Sequence, residues 1–200
     1  TEENGGQLTL TQAFARARKQ TLEHVMELME ELLAIDNEDL ADIKSMEEIY
    51  EEIQADPLYQ RLFEIANVHT AEEFGLDVPK GVYEEMAGAI EDGDEWAEIQ
   101  EKGWFEDAQE LAESEDFFHW ELEYPEVFFG SDGDRLEGAG FDAVVGNPPY
   151  VNIMRIPDDQ VSYLKHAFDT AFRRFDLYVL FSELARTLSD DDGLYSYIVP

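Results

Sequence analysis

The stretch "FDAVVGNPPY", residues 141–150, decides how this chain is read. Phe141 to Val145 is a short apolar run, predicted to be a strand buried on both faces. It ends in Gly146-Asn147, two consecutive prolines and a tyrosine. Pro148 holds Asn147 in extended backbone. Each proline has a fixed φ and no N–H. The result is a stiff corner rich in acceptors, with an aromatic ring beside it.

Working outward, the downstream pattern is loop, helix, helix, strand. Residues 147–157 read as a loop, Asp158 to Phe172 as one helix and Asp176 to Leu188 as a second. In the second, Leu177, Leu180, Phe181 and Leu184 are expected to face inward. "DDDG", residues 190–193, reads as a turn and "LYSYIV", residues 194–199, as another strand. Two parallel strands joined by helical crossovers imply an α/β sheet, of which this chain holds one edge.

Upstream the signals are helical. A helix is expected from about Leu10 to Ile35, with Thr9 and Gln12 as a capping box and Leu22, Val25, Met26, Met29, Leu32 and Leu33 on one stripe. Residues 1–6 read as disordered. Ser45 with Glu48, and Thr70 with Glu73, repeat the box spacing. Asp56-Pro57 reads as an N-cap followed by a first-turn proline. Residues 79–113 read as short helices broken at Gly93 and Gly103. "FFHWELEYPEVFF", residues 117–129, reads as an extended or irregular packing segment, and residues 130–140 as a loop. Asp132 and Asp134 echo a calcium loop, but the later ligands are missing, so a solvated turn is the reading and no metal is expected. The division drawn from these patterns is an acidic helical region, 1–116, and a partial catalytic core, 117–200.

Bulk composition narrows the classes. The 200 residues include 48 acids and 13 bases, a net charge of −35, and no cysteine. Disulfides and thiolate metal sites are excluded. No apolar run approaches a membrane span, so a cytoplasmic protein without a membrane partner is expected. Such charge repels itself in dilute buffer, and the Debye length of about 3 Å at 1 M salt screens most of that repulsion. The composition resembles that of proteins from salt-in halophilic archaea. From Phe141 onward there are nine acids and five bases, a net of −4, which leaves −31 on the first 140 residues. The corner therefore lies in the least acidic part of the chain, together with Arg155, Lys165, Arg173, Arg174 and Arg186.

The corner suits an exocyclic amine on a base. The lone pair of such an amine is delocalised into the ring, which makes it a poor nucleophile. Acceptors on its two N–H bonds, the Asn147 side-chain oxygen and the Pro148 carbonyl, favour a pyramidal nitrogen and stabilise the charge that builds during attack. Tyr150 would stack on the base, which must leave the duplex to reach the corner.

"FDAVVGNPPYV" resembles motif IV of the amino-methyltransferases that use S-adenosylmethionine. The same tetrapeptide resembles the site of protein-glutamine and some RNA methyltransferases. "FHWELEYPEVF" (118–128) and "FDLYVLFSELARTLSDDDGLYSYIVP" (175–200) resemble the gamma-class N6-adenine DNA methyltransferases, most of all the branch found in fused restriction–modification enzymes and phage-defence methylases. The resemblance covers about the last 85 residues well and the helical region loosely. It implies a partial Rossmann-like methyltransferase sheet, S-adenosylmethionine as cofactor of a longer parent, and DNA as that parent's partner. It also implies Asn147, Pro148 and Tyr150 as the adenine-amine site, with Pro149 shaping the loop. Arg155, Arg173 and Arg174 are candidate phosphate contacts.

The family's Gly-rich cofactor turn has no counterpart here, since Gly5-Gly6 and Gly138-Ala139-Gly140 lack the strand before and the helix after that it needs. That motif is expected upstream of Thr1 and a target-recognition domain beyond Pro200. The chain thus reads as an internal fragment, inactive alone, whose open sheet edge invites self-association. Two other readings stand beside it: an amino-methyltransferase acting on RNA or protein glutamine, and a non-enzymatic acidic interaction module.

Overall fold

The computed structural model describes residues 18–19, 21–36 and 39–199. The readings of residues 1–6 and of the Thr9–Gln12 box lie outside them. The chain divides into two compact units. One runs to Thr70 and resumes over Asp77–Arg135; the other comprises Ala71–Leu76 and the chain from Leu136.

The first unit is helical. Helix α1, residues 21–33, buries Leu22, Val25, Met26 and Met29, whose spacing puts them on one stripe, but Leu33 faces solvent. Helix α2, Leu40–Ala55, starts five residues before the expected box. Asp39 is its N-cap and accepts from the Ala41 and Asp42 N–H groups, while the Asp42 side chain accepts from the Asp39 N–H. Ser45 lies inside the helix and bonds back to the Ala41 carbonyl. Helix α3, Pro57–Glu73, begins where Asp56-Pro57 predicts, with the Tyr59 N–H on the Asp56 carboxylate at 2.7 Å. Thr70 does not open a new helix. Buried Ile65, Val68 and Ala71 carry the apolar periodicity straight through it.

Helices α4 (Val82–Ala89), α5 (Gly93–Gln100) and α6 (Gly103–Ser114) come next, and Gly93 and Gly103 are the first residues of their helices, as the breaks predict. Trp96 is buried, edge-on to Phe105, with its indole N–H on Glu64 at 2.6 Å. The aromatic segment is not extended. It forms two single turns, α7 (Trp120–Glu123) and α8 (Pro125–Phe128), because Pro125 is pre-set for a first helical position. Burial holds the His119 imidazole below its ordinary pKa, with His69 adding to the effect.

The second unit carries the sheet. Strand β1, Phe141–Gly146, pairs in parallel with β2, Ser189–Tyr197. Between them come a 3-10 turn (Ile153–Arg155), α9 (Asp158–Ala167) and α10 (Leu177–Leu188). Helix α9 stops short of Phe172. Its last carbonyls are met at Phe168, and Glu183 then captures the backbone of the next two residues.

The structure corrects three expectations in this unit. The residues 190–193 are not a turn before the strand but a bulge within it: Phe141 pairs with Ser189, yet Ala143 pairs with Leu194. Gly193 permits this, since a Cβ there would lie 2.7 Å from the Phe141 carbonyl oxygen. Strand β1 is not buried on both faces either. Val145 is 79% exposed, and Leu194 and Ile198 are 75% and 68% exposed, because a two-stranded sheet presents a face that α10 does not cover. Phe181 on α10 is also exposed, while Leu180, Ala185 and Leu188 are buried.

Gly140 enters β1 where the chain leaves α10. With φ at +157°, a Cβ there would lie 2.4 Å from the Asp190 nitrogen and 2.5 Å from the Ser189 carbonyl carbon. Both are backbone atoms that cannot swing aside. Gly140→Ala is therefore expected to destabilise this unit by at least the roughly 1–3 kcal/mol of ordinary overpacking. Amide hydrogen exchange in β1 and β2 measures it, and unchanged protection would contradict the crowding.

Candidate functional site: the Asn-Pro-Pro-Tyr loop at the end of β1

The loop leaves β1 at its carboxyl end, where open α/β sheets place their ligands. Pro148 is buried, whereas Asn147 and Pro149 are exposed and Tyr150 is 50% exposed. The corner is thus anchored through its middle residue and presents its amide and its ring outward. The Ile198 N–H bonds the Gly146 carbonyl at 3.2 Å, which fixes the end of β2 beside the loop. The Ile198 carbonyl in turn accepts from the Tyr150 hydroxyl at 2.7 Å. Asn147 Oδ1 lies 3.1 Å from the same hydroxyl, and the Tyr178 ring stands edge-on to Tyr150 at 6.5 Å between centroids.

A second frame holds the chain just beyond Tyr150. Asn152 and Asp176 form an antiparallel bridge. The Leu177 N–H bonds the Val151 carbonyl at 2.9 Å, and the Ile153 N–H bonds the Phe175 carbonyl at 3.0 Å. The Asn152 amide donates to Asp176 at 3.0 Å and its oxygen caps the 3-10 turn through the Met154 N–H. Beneath lie Ile153, Ala171, Phe175 and Leu180, with Val161, Leu164, Phe168 and Leu177 against them. The loop is therefore tied at one end to the sheet and at the other to a small apolar core.

The three candidate arginines are exposed. Arg155 lies three residues beyond Asn152 and Arg173 three before Asp176, so both leave from the same end of the antiparallel bridge, with Arg174 beside them. Arg173 takes a left-handed φ of 57°, and its guanidinium sits 5.0 Å over the exposed Phe172 ring. Among the described residues no hydrogen bond or ion pair brings any of the three to Asn147.

Glu183 on α10 holds this arginine turn. Its carboxylate accepts from the Asp169 and Thr170 N–H groups, each at 2.9 Å, and from the Thr170 hydroxyl at 2.5 Å. The Thr170 hydroxyl bond foremost, then the Thr170 N–H, hold the Glu183 carboxyl below its ordinary 4.5, against a small opposing effect of burial. A carboxyl depressed in the folded state adds stability that is present above its unfolded pKa and lost as pH falls through the folded one. Glu183→Gln is expected to flatten the acid limb of the stability–pH curve, read by thermal midpoints from neutral pH downward. An unchanged acid limb would contradict the assignment.

Sequence reading missed Ile198, whose contribution is a backbone carbonyl, and Glu183, which looked like one acid among 48. Asn152 and Asp176 carried a usable signal: each stands next to the start of a helical turn, a position that favours such side chains.

The site is thus a parallel strand pair with an amide-bearing proline corner at its carboxyl end. Comparison with known proteins supplies the family. The model of the Eco57I restriction-modification methylase family matches residues 58–200, and the chain belongs to that family. Over 65 residues it is 37% identical to the type II methyltransferase M.BstVI of Geobacillus stearothermophilus, covering 32% of this chain and 12% of that protein. Over 63 residues it is 32% identical to the type II restriction enzyme and methyltransferase RM.Eco57I of Escherichia coli, covering 30% of this chain and 6% of that one. The chain thus spans a small part of these relatives. No solved structure matches it.

Gly138 and Gly140 do not supply the Gly-rich turn that S-adenosylmethionine needs: they precede a strand rather than follow one, and the space over Gly140 is filled by the α10–β2 junction. No helix among the described residues is long and apolar enough to cross a membrane.

Proposed function

We propose that this chain carries the amine-binding loop of an S-adenosylmethionine-dependent DNA methyltransferase that modifies the N6 amine of adenine within a restriction–modification or phage-defence system. One observation carries the reading: Asn147-Pro148-Pro149-Tyr150 stands at the carboxyl end of a parallel strand, anchored by buried Pro148, in a chain of a restriction-modification methylase family. The Asn147 side-chain oxygen and the Pro148 carbonyl accept the two N–H bonds of the amine, and the fixed dipoles favour charge development on its nitrogen. The Tyr150 ring stacks on the flipped base. Arg155, Arg173 and Arg174 meet the phosphates, and their shared exit from the Asn152–Asp176 bridge supports that role. The part of this chain in the reaction is confined to the acceptor.

The test is product identification. The full-length gene product containing this chain is incubated with duplex DNA and isotopically labelled S-adenosylmethionine in molar KCl, and nucleosides are separated by mass spectrometry. Label on N6-methyl-deoxyadenosine is expected. Label in RNA or on protein glutamine would replace the DNA reading, and no label on any of the three would leave an acidic interaction module.

A further inference from the structure

The Tyr150 hydroxyl faces a count that does not close. It lies 2.7 Å from the Ile198 carbonyl oxygen and 3.1 Å from Asn147 Oδ1. A phenol carries one proton, and both neighbours are acceptors. The carbonyl can only accept, is the nearer, and is held in place by the Ile198 N–H on Gly146. It therefore takes the proton. The remaining contact is satisfied when Asn147 turns its NH2 toward the hydroxyl oxygen. The two amide orientations have nearly the same shape, so a half-turn about Cβ–Cγ exchanges them without repacking.

We propose that Tyr150 works through its hydroxyl as well as its ring: Asn147 Nδ2–H donates to Tyr150 Oη, whose own proton goes to the Ile198 carbonyl. This relay rests on the amine-methylation reading and deepens it. An amide has two poles. Fixing its NH2 on Tyr150 leaves Oδ1 as the outward pole, the one an incoming amine needs. With the relay absent, the NH2 can face the amine, setting donor against donor. Tyr150 is in this respect a positioning residue, and β2 takes part in the site through one backbone oxygen. Phenylalanine at this position would keep the stacking face and lose the orientation.

The experiment is Tyr150→Phe in the full-length gene product, with single-turnover methylation, KM for DNA, and the fluorescence of 2-aminopurine at the target position as a report on flipping. The single-turnover rate is expected to fall about three- to tenfold, the scale of one neutral hydrogen bond, with KM and the 2-aminopurine signal unchanged. A wild-type rate overturns the relay. A fall shared by rate, KM and flipping also overturns it, because the ring itself has then moved. A separate arm uses this 200-residue chain, labelled with 15N. One Asn147 Hδ2 resonance is expected downfield of its partner, and the separation should shrink in Tyr150→Phe. No such change overturns the relay even if adenine is methylated. The change seen in a protein that never methylates adenine keeps the relay and removes the DNA reading.

Discussion

Replacing Asn147 by alanine in the full-length gene product is expected to slow methyl transfer about 100- to 1,000-fold, the loss found when one preorganised hydrogen-bonding group is removed from a site of developing charge. The side chain is exposed and sits beyond the end of β1, so no core contact goes with it. The thermal midpoint and DNA affinity should stay near wild type, which separates a chemical loss from a folding loss. The backbone carbonyl of Pro148 survives the substitution, and Pro148 remains buried. Half of the acceptor pair therefore persists, and some activity should remain. Unchanged methylation would remove Asn147 from the site altogether.

The second large effect is structural. Phe175→Ala should cost the sheet-bearing unit about 3–5 kcal/mol, the range for truncating a buried phenylalanine. Phe175 is buried in the small cluster formed with Ile153, Ala171 and Leu180, and its backbone carbonyl receives the Ile153 N–H. Hydrogen exchange at Ile153 and Leu177 should accelerate, since those amides join the two segments that the cluster supports. All three tryptophans, Trp96, Trp104 and Trp120, lie in the other unit. Tryptophan fluorescence thus tracks the helical unit alone, and residue-resolved exchange tracks the sheet unit. A loss below about 1 kcal/mol would mean that the cluster is not what holds the loop.

What could be read from the sequence was local chemistry with a narrow meaning. The Asp56-Pro57 helix start, the glycine breaks at 93 and 103, and the strand leading into Asn147 all rest on residues whose backbone preferences are strong. The failures also have a cause. Ser45–Glu48 and Thr70–Glu73 match the capping-box spacing because glutamate is everywhere in a chain with 48 acids. The spacing loses its specificity when the acid is there for the surface. The faces of β1 were misjudged because "FDAVV" records what the strand prefers to touch, not how many strands stand beside it. The Ile198 carbonyl could not be found, since a backbone oxygen leaves no letter in the sequence.

The acidic bulge at 190–193 has a consequence for variation in length. Four residues of β2 stand there against Asp142 alone, and everything from Leu194 to Ile198 is indexed from that point. Deleting or adding one residue in the bulge would move the next backbone carbonyl, or none, under the Tyr150 hydroxyl. Such a slip would turn every later side chain of β2 to the opposite face and take the Ile198 carbonyl from the Tyr150 hydroxyl. Within this fold the span from Ser189 to Leu194 acts as a ruler for a site it never touches, so its length matters more than the identity of the aspartates that fill it.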